Sequence, residues 1–207
     1  MKSVLVETQY LPSIAYFSAL SKFDTLIVER YEHYVKQSYR NRCYINTAHG
    51  VEMLTVPLAG KHGKVLISEI RIDYTQRWLM NQWRALQSAY GNAPFYEFYA
   101  EDLQKILFKK HNFLYDLNLD LLSLCLKWLK SPIIIQESLS YTTDPLADVY
   151  DLRNEINAKN IVGSNKYYKS IPYNQVFGNK FVNNLSIIDL IFCAGPQARQ
   201  IVHDSAL

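Results

Sequence analysis

Residues 3–28, Ser3-Val-Leu-Val-Glu-Thr-Gln-Tyr-Leu-Pro-Ser-Ile-Ala-Tyr-Phe-Ser-Ala-Leu-Ser-Lys-Phe-Asp-Thr-Leu-Ile-Val28, decide the fold. Ser3–Val6 is a short apolar run of the kind that forms a buried strand, closed by the polar pair Glu7-Thr8. Pro12 and Ser13 mark a turn into a helix, because Ile14, Phe17 and Leu20 recur at helical spacing. Thr25–Val28 is a second apolar run. Strand, helix, strand over so few residues predicts a parallel βαβ unit. Ligands of such units collect at the carboxyl ends of the strands. That rule directs attention to Glu7, Thr8, Gln9 and Tyr10 after the first strand and to Glu29, Tyr31 and Glu32 after the second.

Working outward, Arg42–Asn46 and Val51–Val56 flank His49-Gly50 and read as a hairpin. Ser68–Ile72 reads as a further strand. From Thr75 the pattern turns helical, with Trp78, Gln82, Ala85 and Ala89 on one face and Gly91 as a stop. A helix from Pro94 to about Lys110 and another over Leu117–Lys130 follow, then a short strand at Ile133–Ile135. Residues 138–180 are polar, contain Pro145, Gly163, Pro172 and Gly178, and read as loop. Asn184–Phe192 forms a last apolar helix, capped by Asn or Ser and stopped by Gly195-Pro196. The fold class expected is α/β, an N-terminal βαβ unit with a mixed sheet followed by a mainly helical C-terminal half. One domain is expected over 1–207, its sheet part at 1–73 and its helical part at 74–207.

The 207 residues are 49% apolar and 20% charged, which suits a folded protein with a sizeable core. A formal charge of +3 is too mild to argue for nucleic acid or an anionic membrane. No apolar run approaches the roughly 18–20 residues of a membrane span, and no signal peptide is evident. Cys43, Cys125 and Cys193 are odd in number and far apart, so they suggest packed thiols in a reducing cytoplasm, not disulfides or a zinc site. Phosphate-binding glycine loops, nucleophile elbows and His-x-x-x-His pairs are absent from the sequence, so no metal ligand is assigned and no cofactor is named.

The chemistry concentrates in Tyr34–Cys43, Tyr-Val-Lys-Gln-Ser-Tyr-Arg-Asn-Arg-Cys, immediately downstream of the second strand. Lys36, Arg40 and Arg42 are candidate binders of phosphate or carboxylate, and Asn41 of a hydroxyl or carbonyl. Gln9 and Tyr10 are candidates to orient substrate. Glu29 or Glu32 is a candidate base, and His33 lies between Glu32 and Tyr34 where a carboxylate could hold it charged. Cys43 is a candidate nucleophile, since Arg40 and Arg42 could lower its pKa, but a strand start favours a packed thiol. The bland alternative is that Arg40 and Arg42 pair with Glu29, Glu32 or Asp189 and merely tie the strand exit to the C-terminal helix.

Taken in order, several blocks resemble the WbqC-like protein family of bacteria. Gln9-Tyr10-Leu11-Pro12 with Tyr16-Phe17 is similar to that family's opening Gln-Pro-x-Tyr-Phe-Pro…Gly-Tyr-Phe. Asp24–Glu29, then Lys36, Arg40-Asn41-Arg42, Gly50 and Leu54–Pro57 resemble its next blocks. Trp78, Trp83-Arg84, Tyr90, Ala93–Phe95, Tyr173–Val176, Phe181 and Asn184–Phe192 with Gly195-Pro196 continue the match. The stretch Lys36–Cys43 is most similar to members from the Bacteroides group. The resemblance implies a role with surface polysaccharide, such as O-antigen or capsule, and a transferase label, with acyl or aminoacyl transfer to a sugar suggested. The implied partners are a sugar, nucleotide-sugar or acyl-donor substrate; self-association is left open, and Asp189 joins the binding candidates. Three departures stand out: Gln82 where the family usually has His, Glu29-Arg30 in place of paired aspartates, and a shorter segment over 138–170. Two other classes remain: a non-catalytic binding or scaffold protein, and a nucleotidyltransferase-like enzyme. The latter's His-x-Gly-His signature is replaced here by Ser13-Ile-Ala-Tyr16.

Overall fold

The computed structural model describes residues 2–60, 63–145, 147–157 and 166–207. His62, Gly163 and part of the 138–180 loop lie outside the described residues. Strand β1 (Ser3–Val6), helix α1 (Ile14–Leu20) and strand β2 (Thr25–Val28) form the expected parallel unit, in register from Ser3 opposite Thr25 to Val6 opposite Val28. Val4, Val6, Leu26 and Val28 are almost fully buried, so one face of these strands is core. Ser13 has the extended backbone of an N-cap, but its hydroxyl makes no capping bond. The cap is remote: the Ala15 N–H donates to Asn184 Oδ1 at 2.9 Å, and the Ile14 N–H donates to the Leu185 carbonyl.

Strand β3 (Arg42–Thr47) and strand β4 (Gly50–Thr55) are the expected hairpin, a separate two-stranded antiparallel sheet. Helices α2 (Trp78–Tyr90), α3 (Tyr96–Phe108) and α4 (Leu114–Trp128) follow. Strand β5 (Ile134–Glu137) then pairs with β2, and β6 (Val149–Asp151) pairs with β1. The larger sheet has the order β5-β2-β1-β6 and is parallel throughout. The chain is therefore mixed α/β, with a parallel sheet, a second antiparallel sheet and a C-terminal half whose regular structure is mainly helical. It closes with α5 (Ile187–Ala194) and α6 (Ala198–Asp204).

Two local expectations are corrected. Ser68–Ile72 is not a strand; Ile67–Glu69 makes a 3₁₀ turn, and Arg71 and Ile72 form isolated bridges to Phe113 and Leu58. Ile67, Ile70 and Ile72 are buried, so the apolar signal was real, but no neighbouring strand runs alongside to build a ladder. Within 138–180, β6 is a three-residue strand that the loop reading missed.

Helix α5 ends at Gly195, whose φ of +54° and ψ of −127° belong to a region open to glycine. A Cβ there would lie 2.4 Å from the Phe95 ring. Gly195→Ala is expected to lower stability by about 2–4 kcal/mol, combining overpacking with backbone strain. Chemical denaturation checks this, and a loss below about 0.5 kcal/mol would show that Phe95 moves aside freely.

Candidate functional site

The four parallel strands end side by side, and their ends assemble the site. Val6 and Val28 are register partners, and the Glu29 N–H donates to the Val6 carbonyl at 2.8 Å, so Glu7 and Glu29 leave the sheet as neighbours. The Ser138 N–H continues the ladder from β5 to Val28, and the Leu152 N–H continues it from β6 to Leu5. From β1 the chain moves outward to β2 and β5, then returns to the opposite flank with β6. The reversal lies between β1 and β6, where a parallel sheet opens a crevice at its carboxyl edge. A cleft of about 400 Å³ is there, lined among others by Glu7, Lys36, Ser38, Arg40, Asn154 and Ile156.

At its wall Arg40 is 2% exposed and Glu32 5% exposed, joined as a fork: Nε donates to Oε1 at 2.7 Å and Nη2 to Oε2 at 2.5 Å. Nη2 also donates to Asn154 Oδ1 at 2.9 Å. Burial pushes the Glu32 carboxyl upward against the pull of the guanidinium. Burial also disfavours the charge on Arg40, but Glu32 and Glu7 more than restore it, and the guanidinium stays protonated. Glu7 is 3% exposed; its Oε1 accepts from Gln9 Nε2 and its Oε2 from the Asn154 backbone N–H, both at 2.9 Å. Each oxygen retains a lone pair for a ligand. Lys36 is exposed on the same cleft, with no ion pair among the described residues.

The structure divides the other sequence candidates. Glu29 is fully buried and occupied: Oε1 accepts from the Tyr31 N–H and the Ser138 hydroxyl, and Oε2 lies 3.1 Å from Arg153 Nη1. Gln9 lies beside the cleft, its amide donating to Glu7 and to the Ile156 carbonyl. Tyr10 is buried, and its hydroxyl donates to Gln82 Oε1 at 2.7 Å while Gln82 Nε2 donates to the Thr55 carbonyl at 2.7 Å. Gln82 is thus a core bridge between α1's approach and the hairpin, and is not among the cleft's lining residues. Asn41 is buried and back-bonded to the Val56 carbonyl. Arg42 is half-buried on β3 beside Met53, and His33 is exposed. Asp189 sits apart, fully buried in α5, where the Tyr90, Tyr173 and Gln175 side chains donate to it and burial raises its pKa. Of the pairings of Arg40 and Arg42 with Glu29, Glu32 or Asp189 considered from sequence, Arg40 with Glu32 is present, and Arg42 pairs with none of the three. Cys43 faces the core opposite Leu54, and burial pushes its thiol up, away from the thiolate a nucleophile needs.

Three contributors went unread. Asn154 stands in the left-handed region at φ +62°, a conformation Asn tolerates, and there joins Glu7 to Arg40. Arg153 ties Glu29 to Asp151, and Asn118 in α4 donates to the Arg40 carbonyl at 2.7 Å. The available signal was the Arg153-Asn154 pair inside a polar loop, which carries no periodicity. The sequence pattern puts Glu7 at the strand end without marking it as a site residue.

A mixed α/β domain with a polar cleft at a parallel-sheet switch point is the class these features define. The chain belongs to the WbqC-like protein family, whose model matches residues 8–166 and 138–201. It is 33% identical over 144 residues to "Uncharacterized protein Rv1507c" of Mycobacterium tuberculosis (strain ATCC 25618 / H37Rv). That alignment covers 68% of this chain and 61% of the relative, so the chain spans less than two thirds of the relative's length. No solved structure matches. Among the described residues no helix is long and apolar enough to cross a membrane.

Arg40→Ala would strand the buried Glu32 carboxylate, and is expected to cost about 3–5 kcal/mol by chemical denaturation. Lys36→Ala, on an exposed unpaired residue, should stay within about 0.5 kcal/mol of wild type. The two together separate the charge that holds the cleft from the charge that faces its contents.

A pH test follows from Asp151. Partial burial pushes its carboxyl up, but the Arg153 guanidinium and backbone N–H outweigh that and hold it below the ordinary aspartate value. The pairing therefore stabilises fully above the unfolded value of about 3.9 and is lost as pH falls through the folded value. Thermal unfolding from about pH 6 to pH 2 should show wild type losing stability more steeply than Asp151→Asn below pH 4. Parallel curves would remove this linkage.

Proposed function

We propose that the protein is a transferase whose substrate cleft lies between the ends of β1 and β6, joining an acyl or aminoacyl group to a sugar or nucleotide sugar. The surface-polysaccharide pathway comes with the WbqC-like family resemblance, and a cytoplasmic setting agrees with three free, buried cysteines. One observation carries the reading: a buried carboxylate, an exposed ammonium and a buried guanidinium line the same cleft at the sheet's switch point.

In this reading the base passes from Glu29 and Glu32, each bonded to an arginine, to Glu7. The Glu7 carboxylate takes a proton from the acceptor's hydroxyl or amine as that oxygen or nitrogen bonds to the acyl carbon of an activated ester, thioester or acyl phosphate. The bond from the acyl carbon to the donor's leaving group breaks, and that group departs with the electron pair. Lys36 and Arg40 oppose the negative charge it carries. Asn154 and Gln9 hold the Glu7 oxygens in place.

A second reading, a binding or scaffold protein without chemistry, is favoured by the mutual pairing of Glu32 with Arg40 and Glu29 with Arg153. Calorimetric titration with nucleotide sugars and acyl thioesters, followed by a transfer assay on the pairs that bind, separates the two. The transferase reading expects Lys36→Ala to weaken the anionic ligand about tenfold, or 1.4 kcal/mol. It expects Glu7→Gln to lower transfer by 10²-fold or more. Binding without turnover in wild type would select the scaffold.

A further inference from the structure

The larger sheet has a second cleft that the proposed reaction does not use. Leu5, Ile27 and Val149 lie on the sheet face opposite the buried Val4, Val6, Leu26 and Val28, since side chains alternate along each strand. Faces of parallel sheets are ordinarily covered by helices. Here the segment after β5 arches over this face and leaves a cleft of about 330 Å³. Its floor is mainly apolar, with Gln136 beside its register partner Ile27, and Ser140, Thr142 and Asp144 line it from the arching segment. Gln136, Ser140 and Thr142 make no side-chain hydrogen bond among the described residues, whereas Glu137, the register partner of Val28, turns to the opposite face and meets Arg30 and Tyr115 there. None of the described lining residues is a lysine or arginine.

We propose that this second cleft binds a neutral, polyhydroxylated ring, the sugar partner of the transfer, while the Glu7 cleft holds the anionic partner. The inference rests on the transferase reading. The Asp144 carboxylate, the Gln136 amide and the Ser140 and Thr142 hydroxyls are the acceptors and donors that sugar hydroxyls require, and an apolar floor suits the C–H face of the ring. Among the described residues no lysine or arginine lines this cleft to meet an anion, and Arg153 at its edge is already paired with Glu29 and Asp151, whereas the Glu7 cleft offers Lys36 and Arg40. The two clefts abut. Glu29 lines the second, and its register neighbour Glu7 lines the first. Arg153, bound to both Glu29 and Asp151, stands at the boundary, with Asn154 immediately beyond it in the first cleft. Two reactants seated on either side of that row would meet at the sheet's carboxyl edge, where Glu7 is.

The test is a nitrogen-15 NMR titration of the whole chain with two probes, methyl glucoside and inorganic pyrophosphate. Methyl glucoside is expected to shift amides of 136–144, and pyrophosphate those of 35–40. Ser140→Trp, which fills the second cleft from its rim, should weaken the glucoside at least tenfold and leave pyrophosphate binding and the melting temperature unchanged. Gln136→Leu should weaken the glucoside in the same direction. Absence of glucoside binding in wild type, shifts confined to 35–40, or unchanged affinity in Ser140→Trp overturns the second site. Glucoside binding at 136–144 with no pyrophosphate response at 35–40 overturns instead the anion role of the first cleft, so the two failures are distinguishable.

Discussion

The fork between Arg40 and Glu32 is where the separate parts of the molecule meet. Both groups are within a few per cent of complete burial, so neither charge has water to solvate it. Each must be neutralised by protein, or the fold loses several kcal/mol. Glu32 comes from the exit of β2 and Arg40 from the approach to β3. Asn154 reaches the guanidinium from beyond β6, and Asn118 reaches the Arg40 carbonyl from α4. One guanidinium and its backbone thus tie the β2–β3 connection to two segments distant in sequence, the one beyond β6 and helix α4. The position of the cleft wall follows from that requirement, because Lys36 and Ser38 belong to the short connection the fork closes.

The same geometry explains why the carboxylates divide in role. Parallel pairing in register brings Glu7 and Glu29 out side by side. Two adjacent buried carboxylates repel, and each needs donors. Glu29 receives a guanidinium, a hydroxyl and an N–H; Glu7 receives an amide and an N–H but no ion pair among the described residues. The less neutralised of the two is the one that lines the cation-bearing cleft, which is why the acid–base role is proposed for Glu7.

Local signals were legible and non-local ones were not. The apolar runs at Ser3–Val6 and Thr25–Val28, the helical spacing of Ile14, Phe17 and Leu20, and the His49-Gly50 turn each depend on residues a few positions apart. Strand β6 has Tyr150 and Asp151 exposed and shows no alternation of its own; it is a strand because β1 offers it an open edge. Ser68–Ile72 carried a strand-like composition without a partner to pair with, and became a turn. At the site, the cationic stretch after β2 was readable, and Arg40 with Glu32 lay within reach of a local argument. The bonds from Asn154 to Glu7 and Arg153 to Glu29 join residues more than a hundred positions apart, and nothing in the sequence around either partner reveals the other.

Gln82 shows how a departure from a family pattern is to be weighed. Read as a lost histidine, it argues against catalysis. In the fold its amide accepts from Tyr10 and donates to the Thr55 carbonyl, two bonds of opposite sense that bridge a buried gap. A neutral histidine offers the same pair of functions, one ring nitrogen donating and the other accepting. The position therefore demands a donor and an acceptor on one side chain, not a titrating proton. That requirement is met as well by glutamine as by imidazole, and the substitution leaves the carboxylate and cations of the cleft where they are.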